Sequence, residues 1–300
     1  MSAPNAFGVH SRNAGEEPRP GLQTPYKSTL NSRLICAIGL ALLAFLLTPR
    51  VRAQDAVANP KPSVEDLAKL KQDPLSGLRT VIFQTEVSPN VPGSGKTEGS
   101  YSIQPVWPFS LGPNWKVITY TILPILQLPV PGEDTNVGLG DTLINLYVAP
   151  KKPGPIVWGA GPAILLPTRT DSALGPNTVS LGPSAVLFYA KGQASAGVVL
   201  QNIWSLGGSG ANEVNLFGAQ YFITYNLPKG WFLYSNATIT ANWLADSDDR
   251  WTVPIGGGLG RIFNIGQQSV SLSAQGFYNV VRPHNGPETT AIVQFAFLFP

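Results

Sequence analysis

Residues 269–280 read Ser269-Val270-Ser271-Leu272-Ser273-Ala274-Gln275-Gly276-Phe277-Tyr278-Asn279-Val280. Ser269, Ser271, Ser273, Gln275 and Asn279 fall on one face of an extended chain, and Val270, Leu272, Ala274, Tyr278 and Val280 fall on the other. A period of two marks a strand between two different environments. The stretch is also long: soluble strands average about five or six residues, whereas a tilted strand that crosses a bilayer needs about 9–11. The same layout recurs at the end of the chain. There Val293, Phe295, Phe297 and Phe299 share a face opposite Thr290 and Gln294. In 231–243, Asn236, Thr238, Thr240 and Asn242 oppose Leu233, Ala237, Ile239 and Trp243.

Outward from these strands, the chain from Arg79 onward has no helical periodicity and parses into twelve strands: 79–87, 99–110, 115–127, 139–149, 156–167, 179–190, 194–204, 215–226, 231–243, 251–263, 269–280 and 289–299. Connections alternate between long (88–98, 128–138, 168–178, 205–214, 244–250, 281–288) and short (111–114, 150–155, 191–193, 227–230, 264–268). Long loops on one side, tight turns on the other and an even strand number describe an outer-membrane barrel. The expected fold is all-β: a transmembrane antiparallel up-and-down β-barrel of about 12 strands, preceded by a short helix, with a polar inside and an apolar outside. In 115–127 and 156–167 both faces are apolar, so their parity stays open. Pro105, Pro108, Pro124, Pro162, Pro183 and Pro254 fall inside strands. Each removes a ladder donor, which is costly in lipid, and the sequence supplies no account of all six.

Tryptophan placement is an independent check. Trp107, Trp115, Trp158 and Trp231 fall at the short-turn ends of strands, and Trp204, Trp243 and Trp251 at the long-loop ends. Indoles prefer the headgroup level, ring in hydrocarbon and N–H in polar surroundings; ordinary core tryptophans would favour strand middles. Charge partitions as well. The long loops hold Glu98, Glu133, Asp134, Asp171, Glu213, Asp246, Asp248, Asp249 and Glu288 against Lys96, Arg169, Arg250 and Arg282. The short turns hold Lys151, Lys152, Lys191 and Lys229 and no acid. An acidic rim is either simply solvated or shares divalent cations with lipopolysaccharide; the solvated rim is the simpler reading.

Upstream, Arg33 precedes an unbroken apolar run, Leu34 to Leu47. That is too short for a helical span and fits a signal peptide, with Val51-Arg52-Ala53 placing small residues for cleavage before Gln54. Cys36 opens the apolar run rather than following it, which excludes a lipoprotein. Residues 1–53 are thus an N-terminal extension and signal peptide, 54–78 a periplasmic segment, and 79–300 the barrel. In the periplasmic segment Ser63-Val64-Glu65-Asp66 is a capping pattern. Val64, Leu67 and Leu70 make a brief stripe that Pro74 and Gly77 end. This short helix is expected in or against the periplasmic mouth.

Composition narrows the function. Charged residues are 12% of the 300, about half the share in a soluble domain. Without the six bases and two acids of 1–53, the 20 and 17 of the whole chain become 14 and 15. A nucleic-acid partner, which needs a basic face, is excluded. With one Cys, one Met and two His there is no disulfide scaffold, zinc finger or haem motif, and no cofactor is expected. Gly256-Gly257-Gly258-x-Gly260 sits in a strand with no helix after it and is not a phosphate loop.

Alternation assigns lumen candidates: Gln104, Asp141, Asn145, Gln220, Asn236 and Thr238, and further Thr240, Ser271, Ser273, Gln275 and Gln294. They offer hydrogen bonds rather than charge, which suits neutral or amphipathic solutes. The alternative is that each only bonds its neighbours in a plugged lumen. Asp141 stands out, because an acid inside a strand must find a partner. Twelve strands lie between the filled barrel of eight and the open porin of sixteen, so the bore is expected to be narrow and gated by a loop or helix. Two other classes compete with the channel. A membrane-embedded lipid hydrolase needs a Ser–His pair with an orienting third group; past residue 53 the chain has a single His, His284, with no serine placed by sequence. A structural or adhesive barrel would bind through its loops, which are short. No catalytic residue is assigned and the chain is read as a non-enzyme. A soluble sandwich fails on strand length and tryptophan position.

Particular motifs carry a resemblance. Gln104-Pro105-Val106-Trp107-Pro108-Phe109-Ser110, Thr121-Ile122-Leu123-Pro124, Gly138-Leu139-Gly140-Asp141-Thr142 and Pro150-Lys151-Lys152-Pro153 come first. Trp158-Gly159-Ala160-Gly161-Pro162, Asn202-Ile203-Trp204-Ser205, Trp251-Thr252-Val253-Pro254 and Gly286-Pro287-Glu288 follow. In this order they resemble a family of bacterial outer-membrane barrels known as transporters or, misleadingly, as neuromedin U, similar to the phenol-degradation MetA-pathway proteins. The resemblance covers 64–300 and implies an outer-membrane barrel with a transport role and no assigned substrate. It implies arginine at some lumen positions near the last strands, where this chain has Phe277 and Ile292, which argues against an ion-selective pore. Phe295-x-Phe297-x-Phe299 resembles the signal read by the outer-membrane assembly machinery, with Pro300 added after it. The partners expected are outer-membrane lipid and lipopolysaccharide, that machinery, and a small-molecule solute.

Overall fold

The structure is a computed structural model and describes residues 62–129, 135–207 and 213–300. The expected signal peptide and cleavage site, Cys36 and the loop acids Glu133 and Asp134 lie outside the described residues.

The described residues form one α-helix and thirteen strands: α1 (Val64–Gln72), β1 (Arg79–Ser88), β2 (Glu98–Leu111), β3 (Trp115–Leu128), β4 (Asn136–Leu139), β5 (Thr142–Pro150), β6 (Ile156–Leu166), β7 (Ser180–Lys191), β8 (Ala194–Ser205), β9 (Asn215–Asn226), β10 (Trp231–Asn242), β11 (Trp251–Ile265), β12 (Gln268–Val281) and β13 (Thr289–Phe299). Every neighbour is antiparallel. β13 pairs with β1 through Arg79–Phe299 to Val87–Ala291 and closes the ring, which abolishes the free edges a bilayer would not tolerate.

Thirteen strands build a twelve-strand barrel because the strand expected at 139–149 is split. β4 pairs with the last residues of β3 and β5 with its earlier residues. Between them Gly140 donates its N–H to the Pro124 carbonyl at 3.0 Å. A β-carbon on Gly140 would lie 2.7 Å from Leu126 Cδ1, so only glycine turns the corner there. Asp141 therefore lies at a strand break rather than inside a strand. Glu98, expected in a long loop, is the first residue of β2 and only 4% exposed.

Three of the in-strand prolines, Pro105, Pro162 and Pro183, coincide with interruptions in the ladder. β2 and β3 are unpaired where Gln104-Pro105 faces Thr121-Ile122, β5 and β6 where Leu146-Tyr147 faces Gly161-Pro162, and β7 and β8 where Gly182-Pro183 faces Asn202-Ile203. Each proline lacks the N–H on that side and keeps its pairing on the other. Glycines before two of them let the abandoned carbonyls close in. A β-carbon on Gly161 would overlap the Leu146 oxygen, and one on Gly182 the Asn202 oxygen. Pro108 and Pro124 keep their register opposite Ile118 and Ser102.

The exterior is apolar. Leu181, Leu187 and Tyr189 on β7 are exposed while Val186 and Phe188 are buried; Ile223 and Tyr225 on β9 are exposed while Phe222 and Thr224 are buried. Water would penalise such a surface at about 25 cal/mol per Å², and hydrocarbon does not. Aromatic girdles bound it. Trp115 and Trp158 meet edge to face at the short-turn end, and Trp243 and Trp251 at the long-loop end. Arg79 over Trp107, Arg261 over Trp231 and Arg250 over Trp243 place cations beside the rings at both levels.

Candidate functional site

The inward faces divide the lumen into two walls. β12, β13, β1 and β2 present Ser269, Ser271, Ser273, Gln275, Gln294, Gln84, Glu86, Ser100, Ser102 and Gln104, all buried from solvent. β3 and β5 to β9 present a continuous apolar cluster that includes Ile118, Ile122, Leu143, Leu165, Val186, Val199 and Phe222. This explains the parity left open in 115–127 and 156–167: those strands are apolar on the lipid side because of lipid, and on the lumen side because they form the apolar wall.

Hydrogen bonds stiffen the polar wall. Tyr120 reaches from β3 to donate its OH to Gln104 Oε1 at 2.6 Å, and Gln104 Nε2 donates to Ser102 Oγ at 2.7 Å. Gln294 Nε2 donates to Gln84 Oε1 at 2.6 Å. Gln275 Oε1 accepts from the Asn236 backbone N–H at 2.9 Å. Tyr147 and Ser184 pair by their hydroxyls at 3.0 Å within the apolar wall. Thr238 Oγ1, Ser271 Oγ and Asn145 Oδ1 are buried with no partner in the protein.

Of the residues assigned by alternation, Gln104, Asn145, Gln220, Asn236, Thr238, Ser271, Ser273, Gln275 and Gln294 are buried within the barrel, and Thr240 is half-buried near the long-loop end. Asp141 does something else. Its carboxylate accepts from the backbone N–H groups of Arg169 at 3.1 Å and Asn177 at 3.2 Å, so it staples the loop after β6. That loop folds inward: Leu174, 1% exposed, packs on Leu126 and Leu128 at the long-loop mouth. The Arg169 guanidinium holds its curve by donating to the carbonyls of Ser172 and Gly175. Gln84, Glu86, Ser100 and Ser102 lie outside the set assigned by alternation, although Ser100 and Ser102 continue the i, i+2 series of Gln104 and Gln84 and Glu86 form one of their own.

The opposite mouth is filled by residues 62–78. Ser63 caps α1, its Oγ accepting from the Asp66 N–H at 3.1 Å. Leu67 and Ala68 pack against Leu78, Ile82, Phe232, Ile262, Ala296 and Leu298. Gln72 is the polar anchor: its Nε2 donates to Asn226 Oδ1 at 2.6 Å, and its Oε1 accepts from Asn226 Nδ2 at 2.9 Å and from Ser195 Oγ at 3.2 Å. Leu75, 0% exposed, joins the apolar wall and sits over Gly159, where a β-carbon would lie 2.9 Å from Leu75 Cδ1. Lys71 lies 5.7 Å from the Phe232 ring, and loss of hydration pulls its ammonium from the ordinary 10.5 down to about 8. A cavity of about 70 Å³ remains between this segment and the polar wall, bordered by Thr80, Thr224, Tyr234, Asn236 and Gln294.

At the long-loop rim, His284 Nδ1 is 2.8 Å from Asp249 Oδ1, and the His284 backbone N–H donates to the same oxygen at 2.7 Å. The imidazole thus engages a carboxylate on the exposed rim and not a serine.

No curated protein matches the chain. An outer membrane channel from Pseudomonas putida F1 superposes with a TM-score of 0.56 at 17% identity, over 74% of this chain and 94% of its own. The NanC porin gives 0.44 at 14% identity over 74% and 99%, and outer membrane phospholipase A from Escherichia coli 0.42 at 15% over 73% and 92%. At these identities the likeness concerns the fold, which is that of the outer-membrane barrels. Sequence supplies the family: residues 88–295, nearly all of the barrel, match the one described as "Putative MetA-pathway of phenol degradation", and the chain belongs to it.

Proposed function

We propose that the protein is an outer-membrane channel for small neutral, amphipathic solutes, aromatic ones among them, with residues 62–78 as a stopper in its short-turn mouth. The observation that carries this reading is the two-sided lumen. A molecule with a ring and a hydroxyl lays the ring on the wall of Ile118, Ile122 and Phe222 and turns the hydroxyl to the wall of Ser271, Ser273 and Gln275. Thr238, Ser271 and Asn145 keep hydrogen-bonding capacity that the protein does not consume. An ion would forfeit hydration against the apolar wall at a cost of several kcal/mol. A fully polar sugar would leave the apolar wall unused.

In this reading the precursor is exported and cut after Ala53, the assembly machinery reads Phe295, Phe297 and Phe299, and lipopolysaccharide borders the acidic rim. The chain carries out no catalysis; it moves solute. Single-channel recording in planar bilayers of residues 54–300 and of 79–300 tests it. The expected result is discrete steps, larger or more frequent once 54–78 is removed. Silence from both, with a folded heat-modifiable barrel on the gel, overturns the channel and leaves a structural barrel with a plugged lumen.

A further inference from the structure

Register lines up two rows of lumen residues above the stopper. Tyr234 on β10 pairs with Gly258 on β11, and Gly258 with Gln275 on β12. One row nearer the short turns, Phe232 pairs with Gly260, and Gly260 with Ser273. Residues two strands apart stand about 10 Å from each other, too far to meet past an intervening side chain. In both rows the intervening residue is glycine, so the side chains at either end lean over β11. A β-carbon on Gly260 would lie 2.3 Å from the Phe232 ring and 2.6 Å from Ser273 Cβ, and one on Gly258 would overlap the Ala274 carbonyl. The result is a dent in the wall, floored by glycine backbone and bounded by Tyr234, Ser273 and Gln275.

The hydrogen-bonding groups that meet over this dent do not satisfy one another. Ser273 and Gln275 are 3% and 5% exposed. The Tyr234 hydroxyl lies within electrostatic reach of both, yet no hydrogen bond of ordinary length and angle closes between them. Tyr234 OH, Ser273 Oγ and Gln275 Nε2 therefore have no hydrogen-bond partner among the described residues. Gln275 is held in place: its Oε1 accepts from the Asn236 backbone N–H at 2.9 Å, which leaves Nε2 as the free end. An amide nitrogen only donates, and hydroxyls rotate to donate where an acceptor is offered. Buried donors left unmade are costly, and one oxygen with two lone pairs answers them together.

Beside the dent the lining is apolar. Phe232 meets Tyr234 edge to face with ring centroids 5.3 Å apart, and packs with Ile262 against Leu67 and Ala68 of the stopper. Phe232, Tyr234 and Ile262 also border the cavity of about 70 Å³, whose far side is Ala68, Lys71 and Gln72. A benzene ring occupies a cavity of about 150 Å³, so the seated stopper leaves room for only part of one.

We propose that Tyr234, Ser273 and Gln275 form a binding site for the carbonyl oxygen of a one-ring aromatic ketone or aldehyde, the ring resting against Phe232, and that the site admits its solute only as residues 62–78 withdraw. The proposal rests on the channel reading and gives it a solute class and a trigger. Because the solute fits the released state and not the seated one, its binding draws the stopper toward release. At ten times the dissociation constant for the released state, the released-to-seated ratio rises about tenfold.

The test records single channels from the full chain, expressed in a Gram-negative host and purified from its membranes, with acetophenone and α-methylstyrene added in turn. α-Methylstyrene carries a methylene group where acetophenone carries its oxygen, and is otherwise the same shape. Acetophenone is expected to raise the opening frequency about tenfold and saturably, and α-methylstyrene, which enters a bilayer more readily, to leave it unchanged. Tyr234→Phe with Gln275→Leu keeps the bulk and removes the donors, and is expected to flatten the acetophenone response relative to the variant's own solute-free frequency. Equal responses to the two molecules, no response to acetophenone in a protein that opens spontaneously, or an undiminished response in the double variant overturns the site. Should the variant not reach the membrane, the two solutes on the unaltered protein decide the matter alone. Absence of conductance steps from the unaltered protein under every condition is a different result, and it is the channel reading that it removes.

Discussion

Leu75 is the point at which the stopper engages the barrel, and Leu75→Ala measures how firmly it is held. The side chain is 0% exposed and fills the dimple over Gly159, against the cluster of Ile118, Tyr120, Tyr147 and Ala149. Truncating a buried leucine costs about 2–5 kcal/mol, and the lower part of that range suits a site at a mouth, where neighbours relax into the space. About 2–3 kcal/mol against the seated state shifts the seated-to-released ratio roughly 30- to 150-fold. The barrel itself is untouched, because its closure runs through β1 and β13. Single-channel recordings of residues 54–300 should therefore show openings more frequent by about that factor, with unchanged unit conductance and unchanged heat-modifiability. Leu70→Ala is the control, since Leu70 is 37% exposed on the same segment. If Leu75→Ala opens no more often than Leu70→Ala while the barrel lacking 54–78 opens freely, then the segment closes the mouth by some other contact and the packing argument is wrong.

Three further outcomes follow from the geometry. Gly161→Ala places a β-carbon on the Leu146 carbonyl oxygen and should abolish the folded, heat-modifiable species on gels, whereas Gly154→Ala, with nothing within 4 Å, should leave it intact. Lys71 has a lowered value of about 8 when seated against an ordinary 10.5 when released, so its charge penalises seating in full below about pH 8, and the penalty lifts as pH rises from there to about 10.5. Opening frequency should hold steady below about pH 8 and fall between about pH 8 and about pH 10.5, and Lys71→Met should remove the dependence. At the rim, the side-chain hydrogen bond to Asp249 raises His284 above its ordinary 6.5, and the His284 backbone N–H, with the imidazole beside it, lowers Asp249 below 3.8. Both partners are therefore charged between those two values, and the loops they join should exchange amide hydrogen more slowly there and faster as pH rises through the raised His284 value, a change that His284→Ala should eliminate.

Much of the barrel was legible because a bilayer imposes a strong pattern. Alternation in 269–280 and 289–299 and the placement of Trp243 and Trp251 placed the strands to within a residue or two. The split at Gly140-Asp141 was not legible, because glycine and aspartate there look like an ordinary bend, and only the Asp141 bonds to Arg169 and Asn177 give the carboxylate its role. The apolar wall read as ambiguous parity in 115–127, since alternation reports a difference between faces and there is none when both are apolar. The prolines read as a conflict for a related reason: which neighbour each strand loses depends on the side its N–H faces, and a sequence does not display that. Leu75 and Gln72 were invisible as contacts, being long-range partners of Gly159 and Asn226. The short helix that carries Gln72 was visible from its cap at Ser63.

The account stands on a lumen with one polar and one apolar wall, and solute block of ionic current probes that directly. In the barrel of residues 79–300, p-cresol should interrupt the current reversibly and in proportion to its concentration, while glucose at the same concentration leaves it unchanged, and Ser271→Val with Ser273→Val should shorten the interruptions. Indifference to p-cresol in an open, conducting barrel, or equal block by both solutes, would contradict it.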